Sequence, residues 1–384
     1  MDVNLLHCNG VKAICIMNML REEKVGISGE ANRMPLLELL EETRDFKSTL
    51  ACDKIYGILG LTKDYESFDV DYATDGSLVF QRLALTHLMK GESIDILYHC
   101  VPPCIPSELL LPSWVPDWTT RGHVEPFLIR GLKANATLDS KPKLRFDENG
   151  KVLHITGKVL DKIATVEEFR PIPSLTDNRV ADAEKGFQTP EAKMEARIGA
   201  FKEKSRIWCQ NVLDIAFPNK VVTREIHENL WRTFMCNRTR DNNVPDSSCA
   251  FGFDVFMEAI LSERTYTSVL LEWKAQAAKN EEEGIQSPLN NAIDDSAVER
   301  FNGAHSKWCY NRRFFKSEAG RFGWTVDGAR VGDEICVLYG GDYAFVLRPD
   351  EDGFHTIVGD AYTHGLMEAE AMDEIFSECE FSIR

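Results

Sequence analysis

Two stretches of this chain alternate apolar and polar residues at the two-residue period of a strand, and a long helical block stands between them. The first stretch is Lys143-Leu144-Arg145-Phe146, the turn Asp147-Glu148-Asn149-Gly150, and Val152 to Leu160, continuing through Ile163 to Val166. Asn-Gly is expected to supply the positive φ values of a tight hairpin. The second comprises Arg312-Arg313-Phe314-Phe315, Glu334 to Tyr339, Tyr343 to Arg348 and Phe354 to Tyr362, with Gly340-Gly341-Asp342 and Asp352-Gly353 as turns. A sheet of two or three strands is marginal in water. The strands of 143–166 are therefore expected to complete the sheet of 312–362. The fold class read from this pattern is α+β: an N-terminal helical region plus a small antiparallel β-barrel or sandwich, interrupted by a helical insertion.

The expected boundaries follow. Residues 1–118 are mostly helical, 119–174 and 301–384 make the discontinuous β domain, and 175–300 are the insertion. In the first part, Pro35 opens a short helix carrying Leu36, Leu37, Leu39 and Leu40. A second helix starts near Asp75 and ends at Gly91, with Phe80, Ala84, Leu85, Leu88 and Met89 on its apolar side. In the insertion, Thr189-Pro190-Glu191 starts a helix whose stripe is Met194, Ile198, Phe201, Trp208, Val212 and Ile215. Asp254 to Lys279 is the expected partner helix, and the polar, acidic stretch from Asn280 to Asp295 reads as a mobile loop.

Between the helical region and the first strands lies Leu111-Pro112-Ser113-Trp114-Val115-Pro116-Asp117-Trp118. Two prolines exclude a helix and hold the run extended. Its two indoles make it a packing or recognition element. One reading is a clamp between the helical and β parts, with Asp117 accepting a backbone hydrogen. The other is an exposed recognition ridge. Trp114, Asp117 and Trp118 are the candidate contact or clamp residues.

Other chemistry is thinly represented. The chain has 384 residues and a formal charge of -17, which repels phosphate backbones and anionic lipid, so neither nucleic acid nor a membrane is an expected partner. The apolar run Val11 to Leu20 is too short to span a bilayer. That leaves protein partners, unidentified, with the oligomeric state open. Eleven cysteines include no C-x-x-C and read as reduced, mostly buried thiols of a cytoplasmic protein. His7-Cys8 and His99-Cys100 are adjacent pairs that seldom face one another, which makes a nucleophilic dyad a weak reading. Cys100 and Cys104 beside His99 offer part of a zinc site without a second pair of ligands. No phosphate-binding glycine loop, G-x-S-x-G or H-E-x-x-H occurs, so neither a cofactor nor a catalytic residue is assigned. The chain is not expected to be an enzyme. A thiol-dependent hydrolase and a small-ligand-binding β module are the alternatives.

Several motifs resemble a known family. Asp53-Lys54-Ile55-Tyr56-Gly57-Ile58-Leu59-Gly60-Leu61, Asp71-Tyr72, Leu111 to Trp118, Gly332 to Gly341, Phe345 to Pro349 and Tyr362 to Met367 are similar to the region downstream of the HET domain in fungal heterokaryon incompatibility proteins, in the same order from about Met34 onward. The resemblance implies a role in nonself recognition and programmed cell death when unlike hyphae fuse. The family's tryptophan-glycine motif and its W-I-D-A-L-C-I-N-Q stretch do not occur in this sequence. The expectation is therefore an accessory or regulatory C-terminal part whose effector half is missing, a truncated or inactive copy.

Overall fold

The computed structural model describes residues 17–18, 34–62, 68–103, 107–120, 122, 124–168, 183, 185–187, 189–285 and 294–384. Nine α-helices lie among these residues: α1 (Leu36–Glu42), α2 (Asp53–Tyr56), α3 (Gly76–Met89), α4 (Phe127–Arg130), α5 (Pro190–Ala216), α6 (Arg224–Phe234), α7 (Cys249–Leu261), α8 (Tyr266–Glu282) and α9 (Asp295–Trp308). The strands are β1 (Leu144–Phe146), β2 (Leu153–Val166), β3 (Arg313–Ser317), β4 (Phe322–Thr325), β5 (Glu334–Leu338), β6 (Ala344–Pro349), β7 (His355–Thr363) and β8 (Glu378–Ile383). The class is α+β.

Strand β2 organises the sheet. Its first half pairs with β1 and β8, and its second half pairs with β5 and β3. Register shifts between Val159 and Asp161 and between Ile163 and Thr165 mark bulges that bend this long strand where it changes partners. Gly157 sits at the hand-over, where a Cβ would lie 2.1 Å from the Val337 carbonyl oxygen and 3.1 Å from the Phe381 ring. From β3 the pairing runs to β4, β7, β6, β5 and back to β2, so six antiparallel strands close into a ring. Closure leaves these strands no free edge around the ring. All four residues of β4 are buried, as are seven of the nine in β7, because these strands are covered on both faces. The first alternating stretch thus completes the sheet of the second.

The β1–β2 hairpin differs from the expected two-residue turn. Gly150 alone takes a positive φ, of 62°, while the Asp147 carboxylate accepts the amides of Lys151 and Val152 and closes a longer loop. The Asp side chain does what a second left-handed residue would have done.

The helix starts follow their caps. The Asp75 carboxylate accepts the Ser77 amide ahead of α3, and Thr189 Oγ1 accepts the Ala192 amide ahead of α5. Met89, placed by periodicity on the buried side of α3, is 73 % exposed at its last turn. The expected partner helix over Asp254–Lys279 is two helices. After Leu261 the chain closes with Arg264 N donating to the Ala259 carbonyl and Glu263 at φ 55°, and Thr265 caps α8 through the Ser268 amide. Nor is 280–295 one loop. α8 runs to Glu282 with Asn280 buried, Asp294 caps α9, and 286–293 lie outside the described residues. α9 also continues past residue 301, to Trp308. His7, Cys8, Cys104 and most of the Val11–Leu20 run lie outside the described residues as well.

One apolar core runs from α1 and α3 through the ring to α5, α6 and α9. A smaller cluster of Phe251, Val255, Ala259, Val269 and Val298 holds α8 onto α7 and α9.

Candidate functional site

The tryptophan segment lies where the N-terminal helices meet the sheet. Both indoles are buried, Trp114 at 0 % and Trp118 at 1 % exposure. Trp114 packs on Phe146 of β1 with ring centroids 5.2 Å apart, and its Nε1 donates to the Lys151 carbonyl at 3.1 Å. Trp118 faces the other way, against His99 at 5.2 Å, with the Arg44 guanidinium 4.9 Å from its ring centroid. Asp117 keeps its carboxylate at the surface, where it accepts Ser107 Oγ and the Thr119 amide and hydroxyl. Ser113, between the two prolines, donates its amide and its hydroxyl to the Arg384 carbonyl and accepts the Ile357 amide. The segment therefore touches Arg44 just past α1, the β1–β2 hairpin, β7 and the residue after β8 together.

Arg44 is the hub beneath it. Its Nε donates to the Thr120 carbonyl, its Nη2 to the carbonyls of His99 and Asp117, and its Nη1 to Glu41 Oε2 at 2.8 Å. His99 Nδ1 stands 2.9 Å from the same carboxylate oxygen. Burial pushes the Glu41 carboxyl up, but Arg44 and His99 outweigh it and hold it at about 2. The buried His99 Nε2 and Trp118 Nε1 have no hydrogen-bond partner among the described residues.

A second buried ion pair lies one segment further on. Arg312 and Asp360 are both fully buried and bidentate, at 2.8 and 3.0 Å. Asp360 Oδ2 also accepts the Phe127 amide, and Arg312 Nη2 donates to the Glu125 carbonyl, so β7 fixes the start of α4. Arg130, at the end of α4, donates to the carbonyls of Lys307 and Trp308 at the end of α9 and of Tyr310 just past it.

The insertion meets the ring differently. Trp324 of β4 donates Nε1 to the Thr233 carbonyl and packs against Phe234, Trp208 and Phe314. His305 stacks on Phe234 and gives its Nδ1 to that residue's carbonyl, and burial pushes its pKa down to about 4.

The eight thiols among the described residues are free. Burial raises Cys100, Cys209, Cys309 and Cys336 well above the ordinary thiol value, and raises Cys249 and Cys379 less strongly. The His99 ring engages Glu41, and Cys100 is buried under a raised pKa, so the geometry does not make an activated dyad of the His99-Cys100 pair. No three of the described His, Cys, Asp and Glu residues are grouped to hold a metal. An open cleft of about 450 Å³ lies between Thr165, Asp214 and Lys316, where α5 passes the β2–β3 edge.

The sequence singles out Trp114, Asp117 and Trp118, and His99 only beside Cys100, but not Arg44, Glu41, Arg312 or Asp360. One signal was available: Asp360 is a lone carboxylate in the apolar run Ile357-Val358-Gly359-Asp360-Ala361-Tyr362.

Residues 224–381 match the family model described as the Het-6 beta-barrel domain, a range that holds α6 to α9 and β3 to β7 together with most of β8. In this region the chain is similar to heterokaryon incompatibility proteins. It is 24 % identical over 358 residues to the heterokaryon incompatibility protein 6, OR allele, of Neurospora crassa, covering 84 % of this chain and 49 % of that protein. The chain thus spans about half the length of its relative. No solved structure matches it. Within the Het-6 region the ring is one strand short, because β2 lies upstream of the matched range. No helix among the described residues is long and apolar enough to cross a membrane.

Proposed function

We propose that the chain is a non-enzymatic, cytoplasmic accessory module of a heterokaryon-incompatibility protein, acting through protein contacts in nonself recognition and the cell death that follows. The observation that carries this reading is the extent of the likeness to a heterokaryon incompatibility protein, 84 % of the chain. The upward-shifted, buried thiols weigh against the hydrolase alternative, since a nucleophilic cysteine needs its thiolate.

With both indoles of the tryptophan segment buried, the contact surface falls to the insertion. The stripe of α5 packs from Ser205 onward through Trp208, Val212 and Ala216, and the same stripe continues to Ile198 and Met194, which are 37 % and 50 % exposed. The test is expression of the chain in a fungal host, alone and fused behind an intact HET domain. The fusion should kill and the chain alone should not, and equal toxicity would overturn the assignment. In the fusion, the pair Met194→Glu and Ile198→Glu should remove killing while leaving Tm within about 1 °C, because both side chains are on the surface.

A further inference from the structure

Cys236 and Cys309 are buried free cysteines whose sulfurs lie 4.0 Å apart, though 73 residues separate them in sequence. We propose that they are a reversible modification site, closing to a disulfide that staples the two ends of the α6–α9 region when the chain meets a hydroperoxide. Neither residue is locked inside a helix. Cys236 stands two residues beyond the end of α6 with φ 48°, and Cys309 is the C-cap of α9. The sulfurs need to close by roughly 2 Å to reach bonding distance. That is within the swing of two χ1 rotations.

The backbones carrying them are already held together by other bonds. Trp308 Nε1 donates to the carbonyls of Arg238 and Thr239, just past Cys236. Arg130 holds the carbonyls of Lys307, Trp308 and Tyr310 on either side of Cys309, and Cys309 Sγ donates to the Phe234 carbonyl at 3.1 Å. Each thiol therefore has the other held 4.0 Å away. Burial also keeps bulky thiols such as glutathione away from both.

The chemistry balances with one oxidant. A thiolate of the pair attacks a peroxide oxygen, the O–O bond breaks, and a sulfenic acid and one water form after protonation. The second thiolate attacks that sulfur, the S–O bond breaks, and hydroxide leaves as a second water. Two thiols and one hydrogen peroxide give one disulfide and two waters. A dithiol reverses it. Because burial holds the thiol of Cys309 protonated, the first step waits on local opening, so mild urea should speed it.

The experiment oxidises the full chain with hydrogen peroxide, blocks the remaining thiols with N-ethylmaleimide, and maps non-reduced peptides by mass spectrometry. A linked peptide joining 236 to 309 should dominate and vanish with dithiothreitol, and Tm should rise by roughly 4–10 °C on oxidation. Cys236→Ser and Cys309→Ser should each abolish the linked peptide and the shift. Should these variants fail to fold, the wild-type peptide map decides by itself. Peroxide that leaves both cysteines as free thiols or sulfinic acids, or that joins either one mainly to another cysteine, would overturn the proposal.

Discussion

The N-terminal segments and the helical insertion cover different strands of one ring, yet charged forks hold the first and stacked rings hold the second. Arg44, Glu41 and His99 tie α1 to the tryptophan segment, and Arg312 and Asp360 tie α4 to β7. On the insertion side Phe234 alone meets Trp208, Phe253, Phe256, His305, Phe314 and Trp324. Directional bonds specify one arrangement and fail when a partner is removed, because the remaining charge stays buried. Aromatic packing depends on volume and yields by degrees. The N-terminal covering should therefore be brittle and the insertion forgiving.

The largest expected effect tests that brittleness. Arg312→Met leaves Asp360 buried without its partner and should cost about 3–5 kcal/mol, read as a lower urea midpoint. The double variant Arg312→Met, Asp360→Leu should recover most of it. A single variant that loses less than about 1 kcal/mol would erase the contrast between the two coverings.

Acid should separate the two sides in pH. Glu41 is held at about 2, below its usual 4.5, so its contribution, on the order of 3 kcal/mol, is present above pH 4.5 and is lost as pH falls toward 2. His305 and His364 are held neutral, with pKa values pushed from 6.5 down to about 4, chiefly by burial. Their contribution is complete above pH 6.5 and drains away as pH falls to 4. The insertion side should weaken first and the N-terminal side second. A series of urea midpoints against pH checks this, with Glu41→Gln flattening only the lower limb and His305→Gln reducing only the upper.

A smaller effect sharpens the contrast from the aromatic side. Phe234→Leu keeps most of the volume and should cost about 1–2 kcal/mol by thermal unfolding, well below Arg312→Met. Smallest is Trp114→Phe, which keeps a ring on Phe146 but drops the bond to the Lys151 carbonyl, for about 1 kcal/mol. If Phe234→Leu proved the costlier of the aromatic and ionic changes, packing would be the stricter of the two constraints.

The same division governs what could be read from the sequence. Strand alternation, the caps at Asp75 and Thr189, and closure of one sheet from two distant stretches were legible because they repeat at fixed spacing. The break after Leu261 was not, since a non-glycine residue, Glu263, takes the left-handed conformation that ends the helix. Of the α5 stripe, Trp208 and Val212 are buried but Met194 and Ile198 are exposed, because periodicity names a face without naming its neighbour. The ionic hubs were missed for a related reason. Arg44 finds its acceptors 55, 73 and 76 residues away and Arg312 finds Asp360 48 residues away, and no local pattern records such pairings.

The position of β2 has a practical side. It precedes the residues that match the Het-6 region, yet β3 and β5 both pair with it and meet nowhere else around the ring. A fragment cut to 224–381 would present two raw strand edges to its own copies in solution. Such a fragment should polymerise in the test tube, whereas one that starts upstream of Leu144 would keep the seam closed and stay dispersed.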